Sequence, residues 1–163
     1  MLRPMVLSAL TMDPLTKNPI VILKEVDGER ALPIRIGFLE AHAIASEMEG
    51  IQFSRPMTHD LLKNFLDLVK AKIERIEICD LKNNTYFALI RISHKNNEMA
   101  IDARPSDALA LSLRVGAPIF VSDKVIKKSE LTARGGEPED KSEKGKQWTE
   151  MLKSLDPEDF GNT

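Results

Sequence analysis

Apolar positions change their period along this chain, and each change marks an element. Residues 5–12 form a mostly apolar run closed by Asp13-Pro14, which predicts a strand and then a turn. Residues 19–23 are continuous and β-branched, and residues 30–36 return after the turn dipeptide Asp27-Gly28. Pro33 has no N–H to give a ladder, so the returning strand belongs at an edge or a bulge. From residue 38 to 48 the period becomes helical, with Leu39, Ala43, Ile44 and Met48 on one face and Gly50 placed to end it. Thr58 is placed as the N-cap of a second helix reaching Lys70, with Leu61, Leu62, Phe65, Leu66 and Val69 as its buried stripe.

The second half repeats the theme. Residues 73–78 are β-rich, Asn83-Asn84 predicts a turn into residues 86–92, and Asn96-Asn97 another into residues 99–101. A third helix is expected from Ser106 to Val115, ended by Gly116; residues 119–121 form a short strand and 124–131 a last helical turn or two. Shifted by 67 positions, Glu40-Ala41-His42-Ala43-Ile44-Ala45 lies over Asp107-Ala108-Leu109-Ala110-Leu111-Ser112. Each stretch follows a predicted hairpin, which suggests an internally duplicated ββα-like unit. The fold class is therefore α/β (α+β), with a mixed, largely antiparallel sheet and packed helices. Residues 1–131 make one domain, and 132–147 read as a flexible charged linker. In 148–163, Trp148, Met151, Leu152 and Leu155 form one apolar stripe on a short helix. So short a helix is marginal alone and is expected to dock on the body or on a partner.

Composition narrows the classes. Of 163 residues, 42% are hydrophobic and 29% charged, as in an ordinary soluble domain. No apolar run reaches the roughly 20 residues of a membrane span. Thr11 and Asp13 interrupt the first apolar stretch, so no signal peptide is expected. The single cysteine, Cys79, sits in an apolar strand and reads as a buried thiol in a reducing compartment, the cytoplasm by default. The net charge is −2; residues 132–163 hold five basic against eight acidic side chains, which leaves the body at +1. Proteins that grip nucleic-acid backbones usually carry a clear basic excess. Any such binding here has to rest on a local patch.

Candidate chemistry gathers at strand-to-helix junctions. Glu40 and His42 open the first helix but point about 200° apart, so they cannot ligate one metal from that helix alone. His42 lies near the apolar face and reads as structural. His59 and Asp60 begin the second helix, where free amides and the dipole favour an anion. Asp60 also reads as a dipole carboxylate, and His59 as a cap or an exposed residue. Asp102, Arg104, Ser106 and Asp107 form the densest polar cluster. Its functional reading is carboxylates for a divalent ion or water with a guanidinium for phosphate. Its structural reading is a Ser106 cap, an Asp107 dipole carboxylate and an Arg–carboxylate pair. Arg55, the counterpart of Arg104, shares both. The chain holds no Gly-rich phosphate loop, nucleophile elbow, Cys-x-x-Cys or His-Glu-x-x-His. Three histidines and one cysteine argue against structural zinc. A metal would be a hard divalent cation such as Mg²⁺ or Mn²⁺ on carboxylates.

At these residues the chain resembles the bifunctional nuclease domain family. The resemblance spans residues 6–129. It rests on Leu32-Pro33-Ile34-Arg35-Ile36-Gly37 with Glu40-Ala41, and on Arg55-Pro56-Met57-Thr58-His59-Asp60-Leu61. Asp102-Ala103-Arg104-Pro105-Ser106-Asp107-Ala108 and Gly116-Ala117-Pro118-Ile119-Phe120-Val121 complete it. Residues 155–161 look like a tail of some bacterial members, and the UVR-type appendage of others is missing. The resemblance implies a compact α/β domain, often a homo-oligomer (dimer or trimer), and cleavage of DNA and RNA; it supplies no settled mechanism. The leading reading is a nuclease of little sequence specificity. Glu40, Asp60, Asp102 and Asp107 bind a cation or orient water, His59 is the general acid or base, and Arg55, Arg104 and Ser106 hold phosphate. The alternative is a non-catalytic oligomeric binding or assembly domain whose Arg and Asp motifs are structural. A third option is a small-molecule sensor with an anion pocket at the His59 or Ser106 helix start.

Overall fold

In the computed structural model, which describes residues 1–135, β1 (Leu2–Met12), β2 (Pro19–Glu25) and β3 (Ala31–Arg35) form an antiparallel meander. After α1 (Phe38–Met48) and α2 (Thr58–Leu68) a second meander follows in β4 (Lys72–Lys82), β5 (Thr85–His94) and β6 (Asn97–Ala103). α3 (Pro105–Val115), β7 (Ile119–Ser122) and α4 (Asp123–Gly135) complete the order. β7 lies between the meanders, antiparallel to β1 and parallel to β4, so the sheet runs β3-β2-β1-β7-β4-β5-β6. This is the mixed, largely antiparallel α+β fold that the sequence predicts. The expected ββα units correspond to two βββα runs, β1–β3 with α1 and β4–β6 with α3. Their shared arrangement does not establish a duplication.

Register explains the core. Val21, Leu23, Leu32 and Ile34 of the first meander and Ile76, Ile78, Ala88 and Ile90 of the second are buried. They join Ile44 of α1, Leu109 and Leu111 of α3, and Val125 and Ile126 of α4 in one cluster. Each such aliphatic side chain contributes about 1.5–3 kcal/mol on leaving water. Alternate positions of β3 (Ala31, Pro33 and Arg35) are exposed, as expected of an edge strand that accommodates Pro33. Gly50 (φ 67°) and Gly116 (φ 69°) take the left-handed backbone that ends α1 and α3, as predicted.

Several expectations are corrected. Met57, not Thr58, is the N-cap of α2; Arg104 caps α3, with Pro105 in its first turn, so Ser106 lies inside the helix and is buried. The second-meander turn centres on Lys95-Asn96, one residue early, because those two take positive φ. Asp27-Gly28 sits in a wider loop closed by the Glu25 amide on the Arg30 carbonyl. Cys79 is half-buried beside an irregularity of β4. α4 is longer than a turn or two and continues past residue 131; the rest of the predicted linker and the tail helix lie outside the described residues.

The largest departure is α2. Leu61, Leu62, Phe65 and Val69, expected in the core, are 63%, 42%, 58% and 39% exposed, and only Leu66 packs partly against it. α2 rests chiefly on α3 rather than on the sheet, so its helical period is real but its stripe faces outward. No helix among the described residues is long and apolar enough to cross a membrane.

Candidate functional site

Four of the predicted residues meet where α1, α2 and α3 begin. Glu40 projects from the first turn of α1, and its carboxylate folds back so closely on the N-cap Gly37 that a Cβ there would lie 2.2 Å from Oε2. Glu40 Oε1 accepts from Arg104 Nη2 at 2.8 Å. Arg104 Nε donates to Asp107 Oδ2 at 2.8 Å, three residues on, where the first turn of α3 brings the two side chains to one face. Asp107 Oδ1 lies 2.9 Å from His59 Nε2 on α2. The chain Glu40–Arg104–Asp107–His59 therefore links all three helices. The junctions of the two halves converge.

Exposure falls from Arg104 through Asp107 to His59. The Arg104 side chain is 65% exposed, Asp107 31% and His59 10%. Burial pushes the Asp107 carboxyl up, but hydrogen bonds from Arg104 and His59 prevail and hold it below the usual carboxylate range. Asp107 is thus an anion at neutral pH. With Nε2 donating to it, Nδ1 of His59 is the nitrogen left to accept a proton, the arrangement in which a carboxylate fixes a histidine tautomer. Arg104 spends Nε and Nη2 on carboxylates and keeps further N–H donors of its five.

A second ion pair fixes the geometry. Asp60 Oδ2 accepts from the Met57 amide at 3.0 Å, capping α2, and Oδ1 accepts from Arg114 Nε at 2.7 Å. Burial raises the Asp60 carboxyl, and the bonds from Arg114 and Met57 more than reverse it. Arg114 is 4% exposed and also donates to the carbonyls of Ala43 in α1 and Ala110 in α3. It pins three helices at once. Sequence reasoning missed Arg114; the available signal was its position seven residues after Asp107, two turns along the same face of a helix of small and apolar residues.

Glu40, His59, Arg104, Asp107 and Arg114 line a cleft of about 280 Å³, shared with Leu39, His42, Ala43, Ser46, Phe53, Met57 and Thr58. His42 contacts the ring of Phe53 with centroids 5.6 Å apart. Four predicted site residues stand outside its lining, Asp60 among them, turned to Arg114. Asp102 is exposed on the edge strand β6, Arg55 is exposed on the loop before α2, and Ser106 is buried within α3. The expected metal set is not assembled either. Glu40 and Asp107 are drawn to Arg104 and Asp60 to Arg114, and no three potential ligands converge among the described residues. The donors present fit a guanidinium network, not a cation cage.

The profile of the bifunctional nuclease domain matches residues 21–134, which include every residue of this network. An uncharacterized protein of Mycobacterium tuberculosis is 35% identical over 151 residues, 90% of each chain. Bifunctional nuclease 1 of Arabidopsis thaliana is 27% identical over 109 residues, and Bifunctional nuclease 2 of Oryza sativa subsp. japonica 24% over 108. Both matches cover 64% of this chain, which spans about a third of those plant relatives. By the profile match over most of its length, the chain belongs to the bifunctional nuclease domain family.

Proposed function

We propose that this protein hydrolyses phosphodiester bonds of DNA and RNA with little sequence preference, using Asp107 and His59 as its acid–base pair. The observation that supports this most is the 2.9 Å contact of His59 Nε2 with Asp107 Oδ1 beside Arg104, inside a cleft. In this reading Nδ1 takes a proton from the attacking water as its oxygen bonds to phosphorus, Asp107 stabilises the imidazolium, and the imidazolium returns the proton to the leaving oxygen as its P–O bond breaks. The remaining donors of Arg104 face the charge that builds on the non-bridging phosphate oxygens. The half-buried thiol of Cys79 takes no part, since burial raises its pKa; a lone free thiol suits the cytoplasm. Cleavage of labelled single- and double-stranded DNA and RNA, with Mg²⁺, Mn²⁺ or EDTA, tests the reading. His59→Gln should lose about 10²-fold or more. Equal cleavage by the variant and the parent protein refutes it.

A second reading is favoured by α2. Its exposed face of Leu61, Leu62, Phe65 and Leu68 is larger than scattered surface apolar residues require. We infer that a second copy covers it, so that the domain works as a homo-oligomer. Phe65→Glu should then lower the mass measured by light scattering without loss of fold. An unchanged mass excludes this face as the interface.

A further inference from the structure

Room and recession decide what can reach the candidate pair. The His59 side chain, 10% exposed, is more recessed than Asp107 and Arg104, and the cleft that the three line measures about 280 Å³. That is the low end of small-ligand pockets, enough for about one ring system with its phosphate. A duplex holds its phosphates on a rigid surface with the bases stacked inside, so its backbone would stop at the mouth. The lining also divides chemically. Glu40, Arg104, Asp107 and His59 are polar; Leu39, Phe53 and Met57 are apolar, and Phe53 is braced by His42 at 5.6 Å with the ring planes tilted 39°. A guanidinium for a phosphate beside an aromatic face for a base is how proteins hold single strands irrespective of sequence.

Building on the nuclease reading above, we propose that the cleft accepts one unpaired nucleotide, its base on Phe53 and its phosphate on Arg104. The substrate is therefore single-stranded or locally opened nucleic acid, DNA or RNA. Stacking on Phe53 serves every base, in keeping with low sequence preference, and the scissile phosphate reaches His59 only from a strand free to bend inward.

Fluorescence anisotropy tests this with the His59→Gln protein, which keeps strands intact while they bind. The probes are a labelled DNA strand, the RNA of the same sequence, the DNA duplex, and the strand with an abasic residue at every position. The single strands should bind about tenfold or more tighter than the duplex. Phe53→Ala should weaken single-strand binding about fivefold or more and leave abasic binding unchanged. Phe53→Tyr, which keeps a ring, should restore it and controls for folding. Equal affinity for duplex and single strand, or an abasic strand bound as tightly as the intact one, overturns the proposal. RNA and DNA bound alike place recognition on base and phosphate; RNA alone bound overturns a site built on those two. The two readings fail separately. Base-dependent single-strand binding with no cleavage by the parent protein keeps the nucleotide site and removes the nuclease. Cleavage that needs His59 but acts on duplex and single strand alike does the reverse.

Discussion

Removing either half of the Arg114–Asp60 pair should destabilise the domain unequally, because the two groups differ in access to water. The Arg114 side chain is 4% exposed and Asp60 33%. Asp60→Ala leaves a guanidinium charge buried against the carbonyls of Ala43 and Ala110 alone. An uncompensated buried charge costs about 3–5 kcal/mol. Arg114→Met removes the charge, keeps an apolar stem of similar reach, and leaves a carboxylate that water can solvate. Its cost is about 1.5–3 kcal/mol, the worth of a hydrogen bond to a charged group. Asp60 also caps α2 through the Met57 amide, a bond of about 1 kcal/mol. The double variant should therefore exceed Arg114→Met by no more than that capping loss and fall well short of the sum of the singles. Urea unfolding followed by circular dichroism reads all three as midpoint shifts at constant slope. Strict additivity, or Asp60→Ala as mild as Arg114→Met, would show that Arg114 is not held as a charge by Asp60. The account of how α2 is anchored over α3 would then be wrong.

Other outcomes follow from the same network. Glu40→Gln frees Arg104 from one of its two carboxylates, so single-strand binding should tighten and its salt slope steepen by about one phosphate equivalent; an unchanged slope counts against Arg104 as the phosphate contact. Gly37→Ala, whose Cβ would meet Glu40 Oε2, should shift binding in the same direction with a stability change within about 0.5 kcal/mol. Acid should act through Asp60 and Asp107, whose carboxyls sit below their unfolded value of about 3.9. A depressed carboxyl stabilises fully above the unfolded value and less as pH falls through the folded one. The urea midpoint should thus hold from pH 7 to about 5 and fall below about 4, more shallowly in Asp107→Asn. Phe65→Glu, at a position 58% exposed, should cost the isolated domain no more than about 0.5 kcal/mol.

What was legible in the sequence was whatever local physics decides. Continuous β-branched runs and the paired Asn turns located the strands, and Gly50 and Gly116 marked helix ends because glycine takes the left-handed φ there without strain; Lys70 takes the same φ after α2 and carried no such mark. Cap chemistry misled by one or two residues. Thr58 and Ser106 are cap-type side chains, yet the chain turns into its helices at Met57 and Arg104. The stripe of α2 was visible, but a period says that a helix is amphipathic and not what covers it. Glu40, His59, Arg104 and Asp107 were readable as junction residues; their meeting depends on α1 packing against α3, which no spacing encodes. For the same reason Asp102 and Arg55 looked equivalent to residues that do meet. Arg114 passed unnoticed because an arginine in a last helical turn is normally a surface partner of the dipole. Here Asp60 and two carbonyls make it a buried one.

Cleavage measured across a gel-filtration profile tests the central claim most directly. The parent protein is run beside a folded Arg104→Ala/Asp107→Ala variant, both on labelled single strands. The account predicts phosphodiester cleavage that rises and falls with the parent protein peak and is lost from the variant. Cleavage shared equally by the two preparations would contradict it.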